Sequence, residues 1–181
     1  VTNLQAAPGS ASVTLSWSLA AGASSYSVYR GTTAGGESTT AVKTGQTTSP
    51  YTDTGRTNGQ IYYYYIKAVY PGGTSAASNE VAATPLAAPV APTNLTAVAT
   101  PGQIALTWTA SANAASYSVY RGTSSNGESA TALASGIVAT SYADLNAPCD
   151  GSTYFYYVKA VNAGGTSAKS GEASARATIG D

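Results

Sequence analysis

The fold class predicted is all-β: two β-sandwiches in tandem, joined by a short Pro-rich linker. Three observations carry the prediction. Apolar residues recur with a period of two, the spacing that puts them on one face of a strand. Val13, Leu15 and Trp17 alternate with Thr14 and Ser16, and Ile104, Leu106 and Trp108 do the same further on. No segment carries a helical stripe. Finally, one unit of about 90 residues occurs twice, as repeat architectures do: "NLQAAPGSASVTLSWSLAAGASSYSVYRGT" from Asn3 returns as "NLTAVATPGQIALTWTASANAASYSVYRGT" from Asn94.

Each copy is predicted to hold seven short strands, bounded by Gly, Pro, Ser and Asn, as a sandwich requires. The first, 3–7, ends at "PGS". The second, 12–18, carries the Val13–Leu15–Trp17 alternation. In the third, 24–30, Tyr26 and Val28 alternate with Ser25 and Ser27. The fourth and fifth, 39–43 and 48–53, lie on either side of "TGQ". The sixth, 61–70, is "IYYYYIKAVY", with five of the chain's 14 tyrosines. The seventh, 74–83, follows "PGG". The same order is expected again at a shift of 91, which becomes 92 after the loop "LNAPCDGST" that holds the lone Cys149. Between the copies, "TPLAAPVAPT" has prolines at 85, 89 and 92, which favour extended geometry over a central strand.

These residues resemble a known family. A strand ending in Trp, then "YSVYRGT", "SPYTDTG", "NGQIYYYYIKAV" and "GGTSAASNEVAATP", is similar to the fibronectin type III domain, an immunoglobulin-like sandwich. The similarity is to the variety attached to bacterial secreted carbohydrate-active enzymes and surface proteins. An immunoglobulin domain itself would need a Cys…Trp…Cys spacing, which is absent. The resemblance implies a first fibronectin type III-like domain over 1–85, a linker over 86–92 and a second domain over 93–181. It gives Trp17 and Trp108 structural roles. In the second copy "SGEASARAT" replaces "SNEVAATP", so the last strand there is expected to pair less regularly.

The resemblance also phases the tyrosine run. If Ala68 points inward, so do Ile66, Tyr64 and Tyr62. Tyr62 then stands at the family's tyrosine corner, its hydroxyl turned to a nearby backbone group, and Tyr154 stands there in the second copy. Tyr63 and Tyr65 fall on the outer face with Tyr29 and Lys67; Tyr120, Phe155, Tyr157 and Lys159 match them. These six rings (Tyr29, Tyr63, Tyr65, Tyr120, Phe155 and Tyr157) are the candidate contact surface, for a protein partner or a glycan. Cross-strand aromatic pairs also stabilise a sheet without any ligand.

Composition excludes several function classes. Eight basic and eight acidic residues cancel, so the chain lacks the basic excess that draws a protein to nucleic acid. No apolar run approaches the ~20 residues of a membrane helix. There is no histidine, which removes Ser-His-Asp and Cys-His pairs and His-containing zinc sites. The eight acids are scattered, unlike the paired carboxylates of glycoside hydrolysis. No active site, metal or cofactor is expected.

The remaining motifs take structural roles. Arg30–Glu37 and Arg121–Glu128 are expected to close their own hairpins as partly exposed salt bridges. Asp53 and Asp144 are expected as turn caps rather than calcium ligands. "GGTSA" at 72–76 and 164–168 is a turn, with no Lys to make it a phosphate loop. Cys149 reads as an unreactive thiol, since no charged base flanks it. "NLT" at 94–96 matches a glycosylation acceptor, to which a bacterial product gives no role.

The leading expectation is a non-catalytic spacer, presentation or interaction module of a larger secreted or cell-surface protein. Val1 is not a methionine, which reads as a processed product or a piece of something longer. The alternative is a subunit that self-assembles into a fibre, sheath or surface layer, favoured by near-zero charge and by edge strands poor in Lys and Glu. A third is a weak carbohydrate-binding module. The expected partners are other domains of the parent protein or other copies of the chain, with polysaccharide third; nucleic acid and membrane insertion are not expected.

Overall fold

A computed structural model describes residues 1–147 and 150–178. The expectation for Cys149 lies outside them. Among the described residues every regular element is a β-strand. The chain divides into two compact units, Val1–Ala87 and Ala88–Asp181.

In the first unit, strands β1 (Thr2–Gly9), β2 (Ser12–Ser18) and β5 (Tyr51–Thr54) form one antiparallel sheet in the order β1-β2-β5. The other sheet has β3 (Ser25–Gly31) between β4 (Lys43–Gln46) and β6 (Tyr62–Tyr70). On its far side β6 pairs with β7 (Gly73–Thr74) and β8 (Val81–Ala83). The second unit repeats this. One sheet is β13-β10-β9, from β9 (Thr93–Thr100), β10 (Gln103–Thr109) and β13 (Ser141–Asp144). The other has β11 (Ser116–Gly122) between β12 (Ala134–Ile137) and β14 (Thr153–Asn162), with β15 (Gly165–Thr166) and β16 (Ala173–Arg176) on β14.

The period-two pattern builds each core. Val13, Leu15 and Trp17 of β2 meet Tyr26 and Val28 of β3 and Tyr62, Tyr64, Ile66 and Ala68 of β6. Ile104, Leu106, Trp108, Tyr117, Val119, Tyr154, Tyr156, Val158 and Ala160 form the second core. Each large aliphatic side chain taken out of water there contributes about 1.5–3 kcal/mol. Pro85 belongs to the first unit. It is fully buried, and its carbonyl accepts the Gly59 N–H at 2.8 Å.

Three strand expectations are corrected. The fourth strand starts at Lys43, not 39, because the Ser38 hydroxyl accepts the Thr40 N–H (3.0 Å) and holds 38–40 in a local turn. The seventh, expected as continuous over 74–83, is split into β7 and β8. Between them two serines replace the ladder. Ser75 Oγ accepts the Ala68 N–H and Ser78 Oγ accepts the Ile66 N–H, both at 3.0 Å, while the two serine N–H groups donate back to the Ala68 and Ile66 carbonyls. Lastly, the closing strand of the second unit pairs over four residues against three in the first, so its altered sequence does not weaken it.

Two edges in each unit are bulged. Asn3 sits at φ 56° where the β1–β2 register slips, and Asn94 at φ 53° where β9–β10 does. Gly45 (φ 65°) and Gly136 (φ 70°) lie in β4 and β12, which slip against β3 and β11. Bulges twist an edge away from a flat template for further pairing.

Candidate contact surface

The outer face of the β4-β3-β6 sheet follows from register. Tyr29 lies opposite Tyr65, Gly31 opposite Tyr63, and Ser27 opposite Lys67. Cross-strand neighbours this close let rings pack. Tyr29 and Tyr65 stack with centroids 4.6 Å apart and planes at 16°. The Lys67 ammonium stands over both, 5.6 and 5.8 Å from their centroids, where an aromatic quadrupole attracts a cation. Tyr63 is half-buried and faces Gly31 and Ala82, neither of which offers a ring.

In the second unit Tyr120 and Tyr157 stack at 4.5 Å and 18° under Lys159. Phe155, half-buried, faces Gly122 and Ser174. Tyr157 corrects the expectation of an exposed ring, since it is only 9% exposed. Lys169, which replaces Ala77 of the first copy, places its ammonium 5.4 Å from the Tyr157 ring. Burial, with Tyr120 and Glu128 nearby, pushes the Tyr157 hydroxyl up; burial, Tyr29 and Glu37 do the same to Tyr65. The stacked rings thus turn their faces to each other and to lysines.

The inward aromatic residues form the framework beneath. The Tyr62 hydroxyl accepts the Thr57 N–H at 3.1 Å, and that bond leads the causes holding it below the ordinary phenol range. Arg56 and Arg30 lie over the Tyr62 ring, and Arg121 lies over that of Tyr154, which is buried. Trp17 meets Tyr26 edge-on at 5.4 Å, as Trp108 meets Tyr117 at 5.3 Å. The Tyr26 and Tyr117 hydroxyls accept backbone N–H groups of Ala20 and Ser111.

Sequence reasoning missed the polar centre of each sandwich. Arg30 does not pair with Glu37. Its Nη1 donates to Asp53 Oδ2 at 2.7 Å, and the Tyr64 hydroxyl donates to the same oxygen at 3.0 Å. Arg121 likewise turns from Glu128 to Asp144 (2.8 Å), joined by the Tyr156 hydroxyl at 2.9 Å. Both aspartates are buried core acceptors, and Asp144 also fills the expected turn-cap role, its Oδ1 accepting the Asn146 N–H. The first copy instead brings Arg56 Nε within 3.6 Å of Asp53 Oδ1, and Ala147 fills that place in the second. The physical reason is burial: a phenol and a carboxylate taken out of water need charge-assisted partners. The available signal was Tyr64 itself, an inward phenol whose hydroxyl had no assigned acceptor.

Burial first, then the Asp53 charge, pushes the Tyr64 hydroxyl far above its ordinary value. Tyr156 rises similarly through burial and its bond to Asp144. Burial alone would lower Arg121, but the hydrogen bond to Asp144 and its charge push it up. Each triad closes within its own unit. Among the described residues no group of three Asp, Glu, Cys or His side chains is arranged to hold a metal ion.

Two antiparallel sandwiches of this topology define a tandem of fibronectin type III folds. The chain aligns with the FN1-FN3 domains of chicken CNTN1 at a TM-score of 0.78, over 98% of this chain and 67% of that one, with 16% identity. That likeness shows the fold alone. The chain matches no family profile. In sequence it is similar to part of the amylopullulanase of Thermoanaerobacter thermohydrosulfuricus, 44% identical over 86 residues, 47% of this chain. It is also similar to part of exoglucanase B of Cellulomonas fimi, 34% identical over 181 residues, 88% of this chain. The chain spans 6% of the first protein's length and 15% of the second's.

Proposed function

We propose that this chain is a non-catalytic spacer and presentation module of a larger extracellular protein that acts on polysaccharide. The carrying observation is that its conspicuous side chains are engaged by its own fold. The stacked tyrosines face each other and their lysines, and the Arg–Asp–Tyr triads close beneath the surface. Its similarity to small parts of two enzymes named for polysaccharide substrates supports the setting. The bulged edges favour a unit that does not recruit further strands.

Sedimentation over a concentration series, with and without insoluble starch or cellulose, tests this reading. The expected result is a constant mass near 18.0 kDa and no retention on either polymer. Growth into large species would replace the spacer with the self-assembling subunit. Retention lost on Tyr63→Ser and Phe155→Ser would replace it with a glycan-binding module.

A further inference from the structure

The chain holds two Asn–Gly pairs, Asn58–Gly59 and Asn126–Gly127, both exposed. In such a pair the glycine nitrogen is next to the asparagine side-chain carbon, and no Cβ stands in the way of its approach. The fold treats the two pairs differently. At the first, both reacting groups are tied to other parts of the chain. Asn58 Oδ1 accepts the Ala11 N–H at 2.8 Å, and the Gly59 N–H is held by the carbonyl of buried Pro85 at 2.8 Å.

At the second, in the loop that leaves β11, the Gly127 N–H is bonded within its own turn, to the Ser124 carbonyl at 3.0 Å, and Asn126 takes a left-handed φ of 56°. The Asn126 side-chain amide is held at both ends. Lys169 Nζ donates to its Oδ1 at 3.3 Å, and its Nδ2 donates to Ser125 Oγ at 3.3 Å. Ser125 in turn donates to Glu172 Oε1 at 2.9 Å, and Glu172 Oε2 accepts the Asn126 N–H at 2.6 Å. The first copy keeps the acid, since Glu80 matches Glu172 and its Oε2 accepts the Gly35 N–H at 2.7 Å. It has Ala34, Gly35 and Ala77 where the second has Ser125, Asn126 and Lys169. Three differences around one turn thus set an amide between a cation and a hydroxyl anchored by an acid.

We propose that Asn126–Gly127 is a self-modification site, where the side-chain amide passes through a cyclic imide to aspartate or isoaspartate. The Gly127 nitrogen leaves Ser124, gives its proton to water and bonds to Asn126 Cγ. Negative charge then collects on Oδ1, the atom already facing the Lys169 ammonium, and a donor in place at a developing oxyanion lowers the barrier. The Cγ–Nδ2 bond breaks, Nδ2 takes a proton from water, and ammonia departs. Water opens the ring at either carbonyl, leaving aspartate or, with the backbone rerouted through the side chain, isoaspartate. No oxidant or reductant is needed, and water is the co-reactant. Ser125 and Glu172 are positioning residues: they fix which end of the amide meets the lysine and hold the turn in which the attack is made.

The test incubates the 181-residue chain at neutral pH, folded and in urea, and follows both pairs by peptide mass spectrometry that separates isoaspartate from aspartate. In urea the two pairs share the same local chemistry and should convert at like rates. Folding is expected to protect Asn58 and to leave Asn126 converting about tenfold faster than Asn58, with isoaspartate among the products. Lys169→Ala should slow folded Asn126 and Lys169→Arg should restore it, with the rate in urea unchanged in both. Folded Asn126 that converts no faster than Asn58 would overturn the site. So would aspartate without isoaspartate, the outcome of direct attack by water on the amide. A lasting loss of ammonia with Lys169 joined to Asn126 would also overturn it, by making the lysine the nucleophile. An unchanged folded rate in Lys169→Ala would overturn the role of the lysine.

Discussion

Asp144 is wholly buried, and it holds a guanidinium, a phenol and a backbone N–H at once. Replacing it by Asn leaves Arg121 without its counter-charge, and the expected cost is about 2–3 kcal/mol, read as a lower urea midpoint. Arg56→Ala should cost under about 1 kcal/mol, because that contact with Asp53 is longer, at 3.6 Å. Tyr64 and Tyr156 make a different demand at high pH. Their folded hydroxyls are raised above the unfolded value, so their contribution is complete below pH ~10 and lost above it, as the unfolded chain ionises first. Alkaline titration followed by phenolate absorbance should show two tyrosines ionising only on unfolding, one fewer in Tyr64→Phe. The inward phase of Tyr62 and Tyr64 was legible from alternation once the family resemblance placed Ala68 inward. The partners of Arg30 and Arg121 were not, since spacing along a strand says which face a residue takes and nothing about what arrives from the opposite sheet.

Among the elements, the alternating strands β2, β3 and β6 fall where their periodicity predicts, and the short edge pieces do not. In β4 and in the β7–β8 stretch, serine hydroxyls and left-handed residues replace regular pairing, and neither leaves a periodic trace. Two glycines separate these effects. A Cβ at Gly45 would meet nothing within 4 Å, so Gly45→Ala is expected to cost only its left-handed backbone, about 1–2 kcal/mol. At Gly31 a Cβ would lie 2.7 Å from the Gly36 carbonyl oxygen and 2.8 Å from Glu37 Cα. Gly31→Ala should therefore push the 31–37 loop off the strand end, seen as lost exchange protection at Ser38, whose N–H donates to the Arg30 carbonyl. That loop displacement is the signature that distinguishes it from Gly45→Ala.

On the scale of the molecule, each core is assembled from strands of its own unit. A fragment of residues 1–87 is expected to keep dispersed NMR signals, and Leu15→Ala within it to cost about 2–5 kcal/mol in a denaturant titration. The repeat that made the architecture legible has a further consequence. Strands β3 and β11 are both "SYSVYRG", and each is the central partner of a tyrosine-rich strand, β6 or β14. In an unfolded chain nothing within those seven residues tells one partner from the other. Correct assembly then rests on chain proximity and on neighbours that have drifted apart, and strand exchange between the halves becomes a kinetic trap of the kind tandem domains face. Refolding of the whole chain from denaturant should show a slow phase that neither isolated half shows. Substitutions that make β11 unlike β3 should remove it.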